Sequence, residues 1–256
     1  MTTDRNISAP NLSVAWIRAL DAVRRMPKHA ATHLVVRIED PTLEVPEIRR
    51  LADELLSRGR VQPISSVRST IFPASWARRY PDPERLADHF RGQYETLCRF
   101  PKNRGGTYFG RMVAYPRGAN EEPFDQLNDI VGKLRGEVRG RHMSSRYEIN
   151  IWVPGDLPSG MGFPCMSHLS FHLDDGQLFM QAVYRNQYLV ERAYGNYLGL
   201  AELQRYVAAA TELQASELMI VAGHAKVDTP GAVNITAVKD TIARAAPYVQ
   251  AARDAD

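Results

Sequence analysis

Residues 163–196 read "FPCMSHLSFHLDDGQLFMQAVYRNQYLVERAYGN". Two runs in this stretch, Met166–Leu173 and Leu178–Arg185, read as strands joined at "DDGQ". Asp-Gly is a strong hairpin signal because both central positions of the turn tolerate positive φ. Leu169, Phe171 and Leu173 then share one face, with Ser170 and His172 on the other. Cys165 sits at the mouth of this hairpin, directly after Pro164, and Arg185 follows on the return strand. A nucleophilic thiol beside a guanidinium that holds an anionic group is one reading of the pair. A packed thiol and a surface arginine is the other, and the pair alone does not choose between them.

Working outward, "LSVAWIRALDAVRRM" carries Val14, Ile17, Leu20 and Val23 at helical steps. "THLVVRIED" reads as a strand, and "PEIRRLADELLSRG" as a helix opened by Pro46 and closed by Gly59. Ser65 to Pro83 is expected to be irregular, broken by Pro73, Pro81 and Pro83, before "PERLADHFRGQYETL" resumes a helix. "KNRGGTYFGRMVAYPRGANEEP" reads as a Gly/Pro-rich loop, the kind of segment on which functional residues concentrate. "FDQLNDIVGKLRGEV" is an amphipathic helix, and "RYEINIWVP" a strand burying either Tyr147, Ile149 and Ile151 or the alternate set. "LGLAELQRYVAAATEL" predicts a further helix and "ELMIVAG" a further strand. Helices and strands mix without strict βα alternation, and no linker or repeat divides the chain. The expectation is therefore an α+β fold, a mixed sheet with packed helices in a single domain over residues 1–256.

Composition narrows the classes. With 44% hydrophobic and 24% charged residues, the chain has the balance of a soluble globular protein. No apolar run is long enough to span a bilayer, and the N-terminal residues lack a secretory pattern. A net charge of +3 does not demand a nucleic-acid partner. Arginine far outnumbers lysine, which suits bidentate anion recognition but also follows from a GC-rich genome. Cys98 and Cys165 cannot build a disulfide framework or a zinc site by themselves, so a cytoplasmic location is expected. Cys98, within "YETLCRF", reads as packing. His168 and His172 alternate on one strand face with no third ligand spaced nearby, so no metal is expected.

From about Phe124 to Gly223 the chain resembles the thymidylate synthase / pyrimidine nucleotide hydroxymethylase family. The resemblance rests on "FDQLNDIVGKL", "SSRYEINIW", "PCMSHLSFHLDDGQL", "YRN" and "GN", with residues 124–228 matching best. It implies a thymidylate synthase-like fold and a homodimer. It also implies one-carbon transfer to C5 of a pyrimidine nucleotide, giving a methyl or hydroxymethyl product, with 5,10-methylenetetrahydrofolate as donor. Cys165 would be the nucleophile that adds to C6 of the base, and neighbouring arginines would favour its thiolate. Tyr108, in "YFG", matches the family's tyrosine beside the nucleophile. Arg185 would hold the phosphate through charge-assisted bonds, with Asn186 at the position of the family's phosphate-binding serine. Arg146 matches an arginine donated across the dimer to the neighbour's phosphate, and Asn196 would pair with the pyrimidine edge. In the family an asparagine there goes with uracil and an aspartate with cytosine.

Several positions depart from the family pattern. The histidine after the nucleophile is Met166, the second interface arginine is Ser145, and the aspartate that contacts the pterin is Tyr188. The sugar-reading segment appears as "GHAKVD", so His224, Lys226 and Asp228 replace the expected residues, and His224 becomes the candidate sugar contact. No helix bearing the family's general-base glutamate can be placed upstream of Tyr108. The chain also ends soon after this segment, so the family's last strands and folate cap are not expected. Specialised nucleotide or nucleoside modification fits these departures. The alternative, of a different class, is a nucleotide-binding homologue without turnover.

Overall fold

The computed structural model describes residues 4–100, 103–118, 121–137, 146–157 and 164–254. Ser145, singled out above, lies outside them. Strands β1 (Asn6–Asn11), β2 (Ala30–Asp40), β3 (Tyr147–Asn150), β4 (Met166–Asp174), β5 (Gln177–Tyr184), β6 (Gln187–Tyr188) and β7 (Gln214–Lys226) form one mixed sheet. Its order is β1-β2-β7-β5-β4-β3, with β6 also pairing with β7. β1/β2 and β5/β7 run parallel, whereas β2/β7, β5/β4 and β4/β3 run antiparallel. This is the expected α+β architecture.

The β4–β5 hairpin forms as its turn chemistry dictates. Asp175 and Gly176 take φ of 44° and 75°, the two positive values that a tight turn between antiparallel strands requires. Leu169, Phe171 and Leu173 point into the core, as do Tyr147, Ile149 and Ile151, which settles the face of β3. One face of the sheet is therefore apolar and buried. The other carries Arg37, Met219, Val221, Phe179, Gln181, Val183, His168 and Glu148, all exposed or half-buried.

Helices α1 (Leu12–Arg24), α2 (Pro46–Gly59), α3 (Ile64–Ile71), α4 (Ala74–Arg79), α5 (Pro83–Cys98), α6 (Tyr108–Val113), α7 (Gln126–Glu137), α8 (Ala193–Ala210) and α9 (Ile235–Asp254) complete the described structure. Here the sequence reading needs correction. Residues 65–83 are not irregular: they contain α3 and α4. Pro63 and Pro73 stand just before these helices, and Pro83 opens α5. A proline at a helix start lacks only an N–H that would have no intrahelical partner, so these prolines separate helices rather than interrupt one. The loop expected around Tyr108 likewise holds a helical turn, α6, whose Thr107 Oγ1 accepts from the Gly110 N–H at 3.1 Å. β1 tolerates Pro10 because it is an edge strand.

α8 begins earlier than its apolar periodicity suggested, at Ala193, and so takes in Asn196. It crosses α3 closely enough that side chains are excluded. A Cβ at Gly195 would lie 2.6 Å from Val67 Cβ, and one at Gly199 would lie 2.9 Å from the Arg68 carbonyl oxygen. Two glycines one turn apart thus set the height of the helix that carries Asn196.

Candidate active site

Cys165 immediately precedes β4 and is half-buried with a free thiol. Its carbonyl accepts from the Arg185 backbone N–H at 2.8 Å, and Arg185 Nε donates to the Pro164 carbonyl at 3.0 Å. The two residues that open the sequence reading are therefore cross-strand neighbours, with Arg185 exposed at the surface. Tyr108 closes the other side: the Met166 N–H donates to its Oη at 3.4 Å. Burial first, then the neighbouring Cys165, pushes the Tyr108 phenol up to about 12. It stays protonated at neutral pH and keeps a proton to donate.

α6 holds Tyr108 in place through polar contacts to β3 and the residues after it. Arg111 pairs bidentately with Asp156, Nη2 to Oδ1 at 2.9 Å and Nη1 to Oδ2 at 3.3 Å. Gln126 Nε2 donates to the carbonyls of both Arg111 and Asn150, while its Oε1 accepts from the Asn150 N–H. Planar bidentate contacts of this kind fix orientation as well as distance.

β5 and β6 lie along the same edge of β7 but are interrupted at Arg185 and Asn186. The interruption turns the Arg185 carbonyl to the His224 N–H, at 3.1 Å, and brings His224 Nδ1 within 2.7 Å of Asn186 Oδ1. Arg185, Asn186 and His224 thus share one corner beside Cys165. Asp228 does something else. Its carboxylate accepts the backbone N–H groups of Val190 and Glu191, at 2.9 and 3.2 Å, tying down the approach to α8. Burial raises its pKa above the usual aspartate value.

Asn196 is 6% exposed on the first turn of α8, and among the described residues its side-chain amide makes no hydrogen bond to the protein. Nearby, the sequence reading missed a group of polar residues behind the thiol. Tyr184 and Gln187 are both 1% exposed. The Tyr184 hydroxyl and Gln187 Nε2 have no partner among the described residues. Tyr197 donates to Gln187 Oε1 at 3.4 Å. Tyr184 is coupled electrostatically to Tyr108, Tyr197 and Cys165, and burial drives its pKa well above 10. Tyr184 and Tyr197 sit at apolar-compatible positions in strand and helix, so no sequence signal marked them.

Arg146 is not part of this cluster. It pairs with Glu137, which also accepts from the Tyr147 hydroxyl. Tyr147 is in register with Phe171. That places Arg146 toward the far end of β4, roughly 20 Å from Cys165 at ~3.3 Å per residue. His168 likewise faces away, bonded to Glu148 and Asn150 on the open side of the sheet. Cys98 ends α5 and is half-buried beside Tyr94.

A cavity of about 1000 Å³ opens at the segment that leads into α6. Thr107, which precedes Tyr108, lines it together with Gln62, Trp76, Phe90, Glu191 and Arg192. Arg192 also acts electrostatically on the Tyr108 phenol.

The thymidylate synthase family model matches residues 76–250, which contain Tyr108, Cys165, Arg185, Asn186, Asn196 and His224. The chain belongs to the thymidylate synthase family. A curated protein of Methanothermobacter thermautotrophicus, described as "Putative thymidylate synthase", is 28% identical over 96 residues. That alignment covers 38% of this chain and 41% of the relative, so the chain spans about two fifths of that protein's length. Among the described residues no helix is long and apolar enough to cross a membrane.

Proposed function

We propose that this thymidylate synthase family member transfers a one-carbon unit to C5 of a pyrimidine nucleotide through a covalent adduct on Cys165. The observation that carries the reading is the convergence of Cys165, Tyr108 and Arg185 at the mouth of one hairpin, inside the family domain. The Cys165 thiolate adds to C6, and the electron pair of the C5=C6 bond moves toward C5, which becomes nucleophilic. Tyr108, protonated at working pH, donates a hydrogen bond to the charge that develops beside it. C5 bonds to the one-carbon unit and loses its proton, the bond between that carbon and its donor nitrogen breaks with the nitrogen as leaving group, and the C6–S bond then breaks to regenerate the thiolate.

Arg185, Asn186 and His224 form the phosphate and sugar corner, and Asn196 reads the base edge. An asparagine amide offers uracil O4 a donor and N3–H an acceptor at once, so a uracil-type base is preferred. Methyl and hydroxymethyl products both begin with this adduct. The changed sugar-reading segment, with His224 and Lys226 on β7, supports a role in specialised nucleotide or nucleoside modification.

The cavity that opens before α6 suits 5,10-methylenetetrahydrofolate. Trp76 and Phe90 supply aromatic walls, Glu191 an acceptor for a donor-bearing ring, and Arg60 and Arg192 cations for carboxylates. Its volume falls in the range of small-molecule sites. Bound there, the folate supplies a one-carbon unit at the oxidation level of formaldehyde and, for a methyl product, the hydride. The open sheet face supports a homodimer, the commonest closed assembly, in which Arg146 leaves Glu137 to reach the neighbour's phosphate. Two unpaired cysteines accord with a cytoplasmic location.

Calorimetric titration with UMP, dUMP, CMP and dCMP tests the substrate class. A mispaired polar edge costs roughly 1–3 kcal/mol, so uracil nucleotides should bind about ten- to a hundredfold tighter than cytosine ones. Tight CMP binding with weak UMP and dUMP binding overturns the base assignment. The second reading, a nucleotide-binding homologue without turnover, is favoured by Tyr188 at the pterin position; nucleotide binding without any covalent adduct would select it.

A further inference from the structure

Tyr184 faces Met166 across the β4–β5 hairpin, one residue in from the point where the Arg185 N–H meets the Cys165 carbonyl. Met166 in turn gives its N–H to Tyr108, so both phenols meet the residue that follows the nucleophile. Tyr184 and Gln187 are buried, and neither the Tyr184 hydroxyl nor Gln187 Nε2 has a partner among the described residues. Tyr197 already gives its O–H to Gln187 Oε1. What remains is mostly donor: the O–H of Tyr184 and the N–H pair of Gln187. An apolar side chain would fill the same space without the desolvation cost of an unpaired buried donor. Donors gathered in the interior behind a half-buried thiol favour negative charge on its sulfur.

We infer that the Tyr184 hydroxyl, backed by Gln187, is a second hydrogen-bond donor to the Cys165 thiolate, alongside Tyr108. The inference rests on reading Cys165 as the nucleophile. Partial burial works against a thiolate, and Arg185 is exposed with its Nε already on the Pro164 carbonyl. Water screens its charge, so the interior donors carry more of the task. Cys165, Tyr108 and Tyr197 are close enough to the Tyr184 phenol to act on its charge. Together with Arg192, which acts on Tyr108, these are the strongest electrostatic neighbours of the two phenols, and none is a carboxylate. When the S–H proton leaves to solvent, the Tyr184 O–H donates to the sulfur and keeps its own proton, because burial holds that phenol well above 10.

The test is the pH profile of Cys165 alkylation by iodoacetamide on the full chain, followed by peptide mass spectrometry so that Cys98 is counted separately. Tyr184→Phe removes the donor and keeps the ring. Its alkylation midpoint should move to higher pH, so that the rate on the acidic limb falls about fivefold or more while the plateau at high pH does not fall. Tm should hold or rise, because the hydroxyl removed had no partner. Gln187→Met should move the profile in the same direction by a smaller factor. An unmoved midpoint in Tyr184→Phe overturns the inference, and a lower Tm with it would make the hydroxyl an ordinary core hydrogen bond. An unmoved profile in Gln187→Met removes Gln187 from the role. Alkylation needs no nucleotide, so this result stands apart from the proposed function. Profiles that shift as expected, in a protein that forms no adduct with a 5-fluoro nucleotide, would keep Tyr184 as the donor and overturn the transfer reaction.

Discussion

The Arg185 backbone N–H donates to the Cys165 carbonyl at 2.8 Å, and its Nε donates to the Pro164 carbonyl at 3.0 Å. One residue thus fixes the segment that carries the thiol while presenting the rest of its guanidinium at the surface. In the proposed mechanism this one residue couples anion binding to placement of the nucleophile. Arg185→Lys keeps the charge and the backbone bond but loses the planar fork. Nucleotide affinity should fall about ten- to a hundredfold, in line with the ~1.5–3 kcal/mol of a charge-assisted bond, and turnover should fall as well. Calorimetry and steady-state kinetics check this; an unchanged affinity removes Arg185 from the site.

Tyr108 should act as a phenol and not as a phenolate. Burial, reinforced by Cys165, pushes it up to about 12, so it stays protonated across the whole neutral range. Tyr108→Phe should lower turnover by about tenfold to a hundredfold, the scale of a positioned proton donor. The pH profile below about pH 10 should keep its shape in the variant. An alkaline limb seen in wild type and lost in Tyr108→Phe would make the phenolate the working form.

The α3–α8 crossing sets glycine's usual cost in a helix against space. Alanine is ordinarily worth ~1 kcal/mol more than glycine inside a helix. At Gly199 a Cβ would meet the Arg68 carbonyl oxygen and Ile71 Cβ, both at 2.9 Å. Overpacking of this kind costs about 1–3 kcal/mol and should win. Gly199→Ala should lower Tm by several degrees, at ~2–4 °C per kcal/mol for a chain of this size. Nucleotide affinity should fall too, because Asn196 rides on the same helix. A raised Tm contradicts the close crossing.

Alkaline stability follows from the buried tyrosines. Burial raises the pKa of Tyr108, Tyr184, Tyr194 and Tyr197 above the ordinary value of 10. The folded state then holds protons that the unfolded chain releases near pH 10, so stability is full below that pH and declines as pH rises beyond it. Tyrosinate absorbance and circular dichroism should therefore change together above pH 10. Titration of these phenols in a still-folded protein would show that they are accessible.

Where local chemistry decided the structure, the sequence was legible. "DDG" specified the hairpin, and with it the nearness of Cys165 and Arg185, because a two-residue turn fixes register. Alternation left the face of β3 open, and the sheet's helix-covered side settled it. Prolines misled because their effect depends on position: the same residue that breaks a helix interior is neutral at its start. β1, with Pro10 and polar neighbours, draws its strand state from pairing with β2, which no local pattern reports. The polar residues behind Cys165 were hidden for a similar reason. Tyr184 and Gln187 matter through what packs over them, and Glu191 through a cavity shared with α4 and α5.

The central claim, a covalent pyrimidine adduct on Cys165, is tested most directly by intact-protein and peptide mass spectrometry. The protein is incubated with 5-fluoro-UMP or 5-fluoro-dUMP and methylenetetrahydrofolate. Fluorine cannot leave C5 as a proton does, so the adduct accumulates. The account predicts a stable mass increase equal to nucleotide plus folate, located on the peptide containing Cys165 and absent from Cys165→Ser. No adduct with either sugar, from protein that binds the nucleotide in a parallel titration, would contradict it.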